Sequence, residues 1–491
     1  MATSTAHDQV VEHRRQEVQQ AIDNACDQMR SEGVQPNNYV EQIAWLFFLK
    51  AFDETESRRE EEAAFDGTAY NRLLDGEYGW TEWTRLINRP DDMLEFVNGK
   101  LWPHLCTISD GPVATRINRI FKAIKNHQSR GASFARVVTQ INKLHFSDKT
   151  DVYVLSEIYE RLLRDVAQVA GYAGEFYTPR HIIEAMVKVV KPQLGDRVYD
   201  PCFGSGGFLW MSAVEIRKNA GAMSAEQLEQ FHKRTICGRE LGPLPYLNGT
   251  MGLLLHDVRE ASLELANTLE VHITNVAEKD KYSVILANPP YGGRLPQQVQ
   301  TNFTVRSGST EILFLQHIMA NLAKGGRAAV IVPEGVLFRG GPDATVRQKL
   351  LDGFNVHTIL SLPAGCFLPY TGVKANVLFF NREHDARKTE QIWYYELTND
   401  GFELKQTRRP IVGSQIPDFR QKQQTRAQSD VSWVVNVGDL TGFDLSARNP
   451  NRKNDYEHRP ALDLLQSLKS QQETLQELLG QLEQLLEDGR E

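Results

Sequence analysis

Tyr282-Ser283-Val284-Ile285-Leu286-Ala287-Asn288-Pro289-Pro290-Tyr291 is the stretch that decides the fold. Its apolar run, Tyr282 to Ala287, has the length of a strand and meets two prolines, which cannot continue a sheet ladder. The pattern predicts a buried parallel strand whose chain turns out of the sheet at Asn288. That puts an amide and an aromatic ring at the strand's carboxyl end, where open α/β sheets bind ligands. The chemistry suits a planar amine: the Asn288 side-chain oxygen and the Pro289 carbonyl can each accept one N–H, while Tyr291 stacks on the ring that bears it. A plain β-turn exit uses the same residues, so the flanking chain has to decide.

Upstream, Arg197-Val198-Tyr199 reads as a short strand ending at Asp200. Pro201-Cys202-Phe203-Gly204-Ser205-Gly206-Gly207-Phe208 follows, with a helix from about Leu209. Strand, glycine-rich turn and helix make a nucleotide-type site, because glycines let backbone N–H groups approach a ligand. The turn is neither G-x-G-x-x-G nor a phosphate-binding G-x-x-x-x-G-K-[ST] loop. An acid directly before it favours a cationic or hydroxyl-bearing ligand over a pyrophosphate. The next strand, Thr235 to Gly238, ends at Arg239-Glu240, where an acid can accept ribose hydroxyls or remain a surface acid. The polar segment Ala220 to Lys233 reads as an extra helix between the two strands. Leu253-Leu254-Leu255 before His256-Asp257, and Asn267 before Thr268-Leu269, offer two further polar tips near the sheet; Asn267 is preferred over Asp257 for an adenine edge because a small polar residue opens its turn.

Before all this, Gly174-Glu175-Phe176-Tyr177-Thr178-Pro179-Arg180 leads into Ile182, Ile183, Met186, Val187 and Val190, an amphipathic helix. Thr178 is its expected N-cap and Pro179 its first residue. Capping leaves Glu175, Phe176 and Tyr177 unexplained, and a small-molecule contact accounts for them equally well.

Downstream, Gly292-Gly293 and the polar run to Ser309 read as a lid or a disordered connector. Helix Glu311–Leu322, strand Ala328–Val332, helix Val346–Leu351 and strands Thr358–Leu362 and Asn376–Phe380 continue the alternation of a doubly wound, mostly parallel α/β sheet of Rossmann-like type. Residues 1–165 read as a helical domain, with Val40, Ile43, Ala44, Phe47, Phe48 and Ala51 forming one apolar face and Trp80, Trp83 and Trp102 in loop-rich segments. Residues 166–455 form the α/β domain. From 456 to 491, Ala461, Leu465, Leu468, Gln472, Leu475, Leu479, Leu482 and Leu486 alternate at four and three, the seam of a long coiled-coil-like helix that folds back or docks on another subunit.

The 491 residues exceed one ordinary core. With no apolar leader and no run long enough to span a bilayer, the expected location is cytoplasmic, without a membrane partner. Cys26, Cys106, Cys202, Cys237 and Cys366 show no metal-ligand spacing, so no metal is expected and the thiols read as buried and free. Against a net charge of −8, a chain that grips nucleic acid must borrow positive charge from a partner or concentrate it. Lys405, Arg408, Arg409, Arg420, Lys422 and Arg426 are the candidate patch, or a solvated loop.

Taken in order, Gly174 to Arg180, Asp200 to Phe208 and Asn288 to Tyr291 resemble the modification subunit of type I restriction-modification enzymes. Leu362 to Phe367, Thr371 to Lys374 and Arg448 to Asn451 extend the resemblance over nearly the whole chain. It implies an S-adenosylmethionine-dependent N6-adenine methyltransferase of DNA. Glu175, Phe176, Tyr177, Thr178, Pro179, Arg180, Asp200, Gly204, Ser205, Gly206, Gly207, Glu240 and Asn267 are then expected at the cofactor, and Asn288, Pro289, Pro290 and Tyr291 at an adenine flipped out of double-stranded DNA. It also implies a specificity subunit that reads DNA and a separate restriction subunit, the nuclease and translocase. Protein glutamine N5-methyltransferases share an Asn-Pro-Pro-Tyr site, and a cofactor-binding scaffold without activity is the third reading.

Overall fold

The computed structural model describes residues 6–145, 178–385 apart from 257 and 259, and 388–451 apart from 407, together with 465, 468–473, 475, 476 and 478–480. The chain forms two compact units, residues 1–448 and 449–491.

Nine strands make one sheet: β1 (Val198–Asp200), β2 (Ile236–Glu240), β3 (Ser262–Leu265), β4 (Tyr282–Ala287), β5 (Leu322–Pro333), β6 (Asn355–Ser361), β7 (Ala375–Asn381), β8 (Gln391–Glu396) and β9 (Ser432–Asn436). Their order is β3-β2-β1-β4-β5-β7-β6-β8-β9. From β3 to β5 every pairing is parallel, while β7 runs antiparallel to both β5 and β6. Strand order reverses between β1 and β4, the crevice where such sheets take ligands. Val284, Ile285, Leu286 and Ala287 are fully buried, as a continuous apolar run covered on both faces must be.

The structure bears out the alternating pattern and corrects several details. Leu253 and Leu254 belong to a helix, Pro243–Leu255; a short apolar run does not by itself separate a strand from a buried helix. The strand in that region is β3, whose burial alternates at the sheet edge. The extra helix between β1 and β2 is only Ala225–Gln230, extended by a π-turn over Phe231–Thr235.

Helices cover the amino-terminal region, Ala6–Ser31 and Pro36–Phe65 being the longest. The expected single apolar face on Pro36–Phe65 is wider: from Tyr39 to Phe52 every residue but Glu41 is buried, Gln42 and Lys50 included. Trp80 and Trp83 sit in a short helix, Trp80–Trp83, and Trp102 opens another, Trp102–Leu105. Trp45 meets Trp102 edge to face at 5.3 Å and Phe134 at 6.1 Å, so these rings are core, drawn together from separate segments. One continuous core runs from these helices to the sheet. Arg116, in helix Pro112–Ala123, crosses between the two regions and donates to the Ala261 carbonyl at 2.9 Å.

Among the described residues, no helix is long and apolar enough to cross a membrane. None of the five cysteines is in a disulfide; Cys26, Cys237 and Cys366 are buried, Cys106 and Cys202 half-buried. Most of the expected seam in 456–491 lies outside the described residues; Leu465, Leu468, Leu475 and Leu479 are each more than half exposed. Three cations of the expected patch are drawn into pairs with acids. Arg408 pairs with the buried Asp400, Lys422 with Asp418, and Lys405 with Glu403.

Candidate active site

β4 ends where expected, and Pro289 and Pro290 carry the chain away from it. What holds the exit is the start of helix Thr310–Asn321. Glu311 is buried and accepts from Gly292 N at 2.9 Å and from the Ser309 hydroxyl at 2.7 Å, while the Thr310 hydroxyl donates to Gly293 O at 2.8 Å. The segment between is folded rather than a disordered connector: Leu295, Val299 and Phe303 pack against Leu269, Ile273, Leu313 and Phe314.

Asn288 is gripped at both ends of its amide. Its Nδ2 donates to the Thr178 hydroxyl at 2.9 Å, and the Tyr291 hydroxyl donates to its Oδ1 at 2.8 Å. Both contacts depart from expectation. Thr178 is not the helix N-cap, which is Pro179; Arg180 is the first helical residue of Arg180–Val190. The Pro179 carbonyl accepts the first bonds, from Ile182 N and Ile183 N, and its fixed φ tolerates the extended backbone of a cap. Tyr291 meets Phe367 edge to face at 6.4 Å, and burial pushes its phenol well above the ordinary value of 10.

The glycine-rich loop is pinned to the tip of β2 by Glu240, which accepts from Gly204 N at 2.8 Å with one oxygen. Its other oxygen accepts from Leu241 N at 2.8 Å and Gly242 N at 2.9 Å. Burial raises the Glu240 carboxyl, against the pull of those three N–H groups. Asp200 is also buried; burial pushes it up to about 8 although it accepts from Cys202 N at 3.0 Å. Phe203 is large for a loop that approaches a ligand, and two glycines make the space. A Cβ on Gly238 or on Gly249 would lie 2.6 Å from the Phe203 ring. Gly206 has φ 76° and caps helix Gly207–Ala220.

These elements enclose one cavity of about 340 Å³ at the carboxyl ends of β1, β2 and β4. Of the expected residues, Thr178, Asp200, Gly204, Ser205, Gly207, Glu240, Asn267, Asn288 and Pro290 line it. Pro179, Gly206, Pro289 and Tyr291 do not, and neither does Arg180, whose guanidinium lies over the Trp210 ring at 5.4 Å. Glu175, Phe176, Tyr177 and Asp257 lie outside the described residues. Asn267 does follow a strand, β3, but its Oδ1 accepts from Leu269 N at 3.1 Å and its Nδ2 donates to Glu270 at 3.3 Å, so the amide closes its own turn.

Leu241, Pro245, Leu269, Leu295 and Phe314 supply an apolar wall that was not foreseen. Only Leu241 carried a local signal, standing next to the acid at a strand tip; the others converge through tertiary folding. A larger concavity, about 590 Å³, lies by Lys188, Lys191, Glu215 and Arg420. No strand tip or glycine-loop residue lines it, so the smaller cavity is the candidate site. The donor set there fits S-adenosylmethionine: two acids suit a ligand bearing cationic and hydroxyl groups, and the apolar wall suits an adenine face.

A second polar cluster lies beside the site. Asp400 is buried, and one of its oxygens meets His181 Nε2 at 3.0 Å, Cys366 Sγ at 3.3 Å and the Arg408 guanidinium. His181, Cys366 and Asp400 could by spacing hold a metal ion, but the guanidinium already neutralises the carboxylate and opposes a second cation.

Comparison with known proteins agrees with this architecture. The model of the N-6 DNA methylase family matches residues 150–458, and that of the HsdM N-terminal domain matches residues 18–158. The methylase subunit of the Escherichia coli type I restriction enzyme EcoEI is 32% identical over 468 residues, spanning 91% of this chain and 92% of that protein. A crystal structure assigned to a type I modification subunit from Vibrio vulnificus YJ016 superposes with a TM-score of 0.81 at 31% identity, covering 90% of this chain and 99% of that one. A chain from a type I restriction-modification system studied for complex assembly gives a TM-score of 0.73 at 33% identity, over 96% and 99% of the two chains. Breadth of this kind sets aside the glutamine-methyltransferase reading, which needs only the central motif. The chain belongs to the N-6 DNA methylase family, within its type I restriction-enzyme methylase subunits.

Proposed function

We propose that the cavity binds S-adenosylmethionine and that Asn288 presents the exocyclic amine of a DNA adenine to it, in an assembly with a specificity subunit and a restriction subunit. One observation carries this reading: Asn288, at the tip of β4, lines the same cavity as the glycine loop and Glu240. S-adenosylmethionine supplies an electrophilic methyl group on a sulfonium. Everything else falls to the chain. Glu240 keeps acceptor capacity on the oxygen that holds Gly204 N, enough for a ribose hydroxyl. Buried Asp200 provides a carboxyl for a cationic group.

The adenine amine is a poor nucleophile, its lone pair delocalised into the ring, and it is inaccessible within a duplex. Extrusion costs a few kcal/mol, offset in part by stacking. Asn288 Oδ1 and the Pro289 carbonyl accept the two amine hydrogens, which raises electron density on nitrogen and aims its lone pair into the cavity. Tyr291 must then release Asn288 Oδ1 and turn its ring toward the base. Rate enhancement comes from positioning and fixed dipoles, with the amine proton passing to water. The chain's negative charge fits a subunit whose grip on DNA comes largely from its partner.

The test uses the chain with its specificity subunit, labelled S-adenosylmethionine and a DNA carrying the recognition site. Asn288→Ala should lower methyl transfer by about 100-fold or more, the scale of losing one positioned polar group, with cofactor affinity unchanged. Loss of cofactor binding would reassign the motif, and no transfer by the wild-type complex would refute the function.

A further inference from the structure

We propose that Thr178 is a positioning residue for the reaction, holding the Asn288 amide so that its oxygen, and not its NH2, faces the target amine. The inference rests on the reading of Asn288 given above and goes beyond a cofactor contact for Thr178.

An asparagine side chain has a soft terminal torsion, so nothing in its covalent structure decides which way the amide faces. Reversal would set a donor against a donor and abolish recognition of an amine. In this fold, Thr178 Oγ1 takes the Nδ2 proton at 2.9 Å. It reaches Asn288 from 110 positions away in the chain, on a segment outside the sheet. Thr178 is free for this because Pro179, not Thr178, caps the following helix. As a β-branched residue its χ1 is restricted, so its hydroxyl is held in place at little entropic cost.

The Tyr291 hydroxyl, at the other end of the amide, must leave when its ring turns to stack on the base. Thr178 then remains as the anchor on the NH2 end. Both Thr178 and Asn288 line the cavity.

The experiment compares Thr178→Val, which keeps the shape and removes the hydroxyl, with Thr178→Ser, which keeps the hydroxyl, in the complex with the specificity subunit. Cofactor affinity is measured by equilibrium binding, and kcat and KM for DNA at saturating cofactor. For Thr178→Val, kcat should fall about 10- to 100-fold while cofactor Kd and KM for DNA stay within about threefold, the pattern of an interaction used in the transition state. Thr178→Ser should recover most of kcat. A weakened cofactor Kd with unchanged kcat would make Thr178 a ligand contact and overturn the proposal; so would full activity in Thr178→Val. If Thr178→Val loses its cooperative melting transition, Thr178→Ala is judged against Thr178→Ser by the same criteria. An active Asn288→Ala overturns the parent reading, whereas an inactive Asn288→Ala beside a fully active Thr178→Val removes only the role of Thr178.

Discussion

Asp200 shows how one residue's surroundings set its chemistry. Burial holds its carboxyl protonated up to about 8, against the pull of the Cys202 N–H. A cationic ligand favours the ionised form, so below that value binding must expel a proton. Affinity for S-adenosylmethionine should therefore rise as pH climbs toward about 8, by at most about tenfold per pH unit, and then level off. Calorimetric titrations across that range should show the slope in the wild type and a flat, weaker profile in Asp200→Asn. A slope that survives the substitution would place the titrating group elsewhere. The acid's position before a glycine turn was legible in the sequence; its burial, which reverses the usual state of an aspartate, was not.

Helix Arg180–Val190 begins beside Thr178, and Asp400 ties its first turn to the loop after β6. Burial alone would raise the Asp400 carboxyl, but hydrogen bonds from His181 and Arg408 and the charge of Arg408 bring it down to about 2. A carboxyl with a depressed folded-state pKa contributes stability that is complete above its ordinary 3.8 and is lost as pH falls through about 2. Denaturant unfolding should show that loss in the wild type between about pH 4 and pH 2. Asp400→Asn should lack it and be less stable at pH 7 by about 3–5 kcal/mol, because Arg408 is left largely buried without its counter-charge. Equal stability at pH 7 would show that the cluster is incidental. No local pattern announced it, since its four side chains come from three separate stretches of chain.

At the scale of the molecule, the helical region and the sheet share one core, and Phe48 and Phe52 of helix Pro36–Phe65 meet Met251 and Leu254 of helix Pro243–Leu255. A fragment beginning at residue 166 would expose that face together with the Ala261 carbonyl that Arg116 satisfies. It should give poor soluble yield and bind a hydrophobic dye, whereas the full chain should not. A monomeric fragment with a sharp melting transition would show that the sheet domain stands alone.

The sequence by itself determined where β1, β2, β4, β5, β6 and β7 fall along the chain, the glycine turn, the acid at the tip of β2 and the exit at Asn288. Each of these is written in residues close together in the chain, where periodicity and proline or glycine act over a few positions. The edge strands β3 and β9, and β8 beside β9, lacked that signal, being short or built into a sheet extended by distant segments. Only the tertiary structure decided that Thr178 serves Asn288 instead of its own helix, that Gly238 and Gly249 make room for Phe203, and that the cavity wall is apolar. Those are contacts between residues far apart in sequence, and their energies depend on geometry that no single stretch encodes.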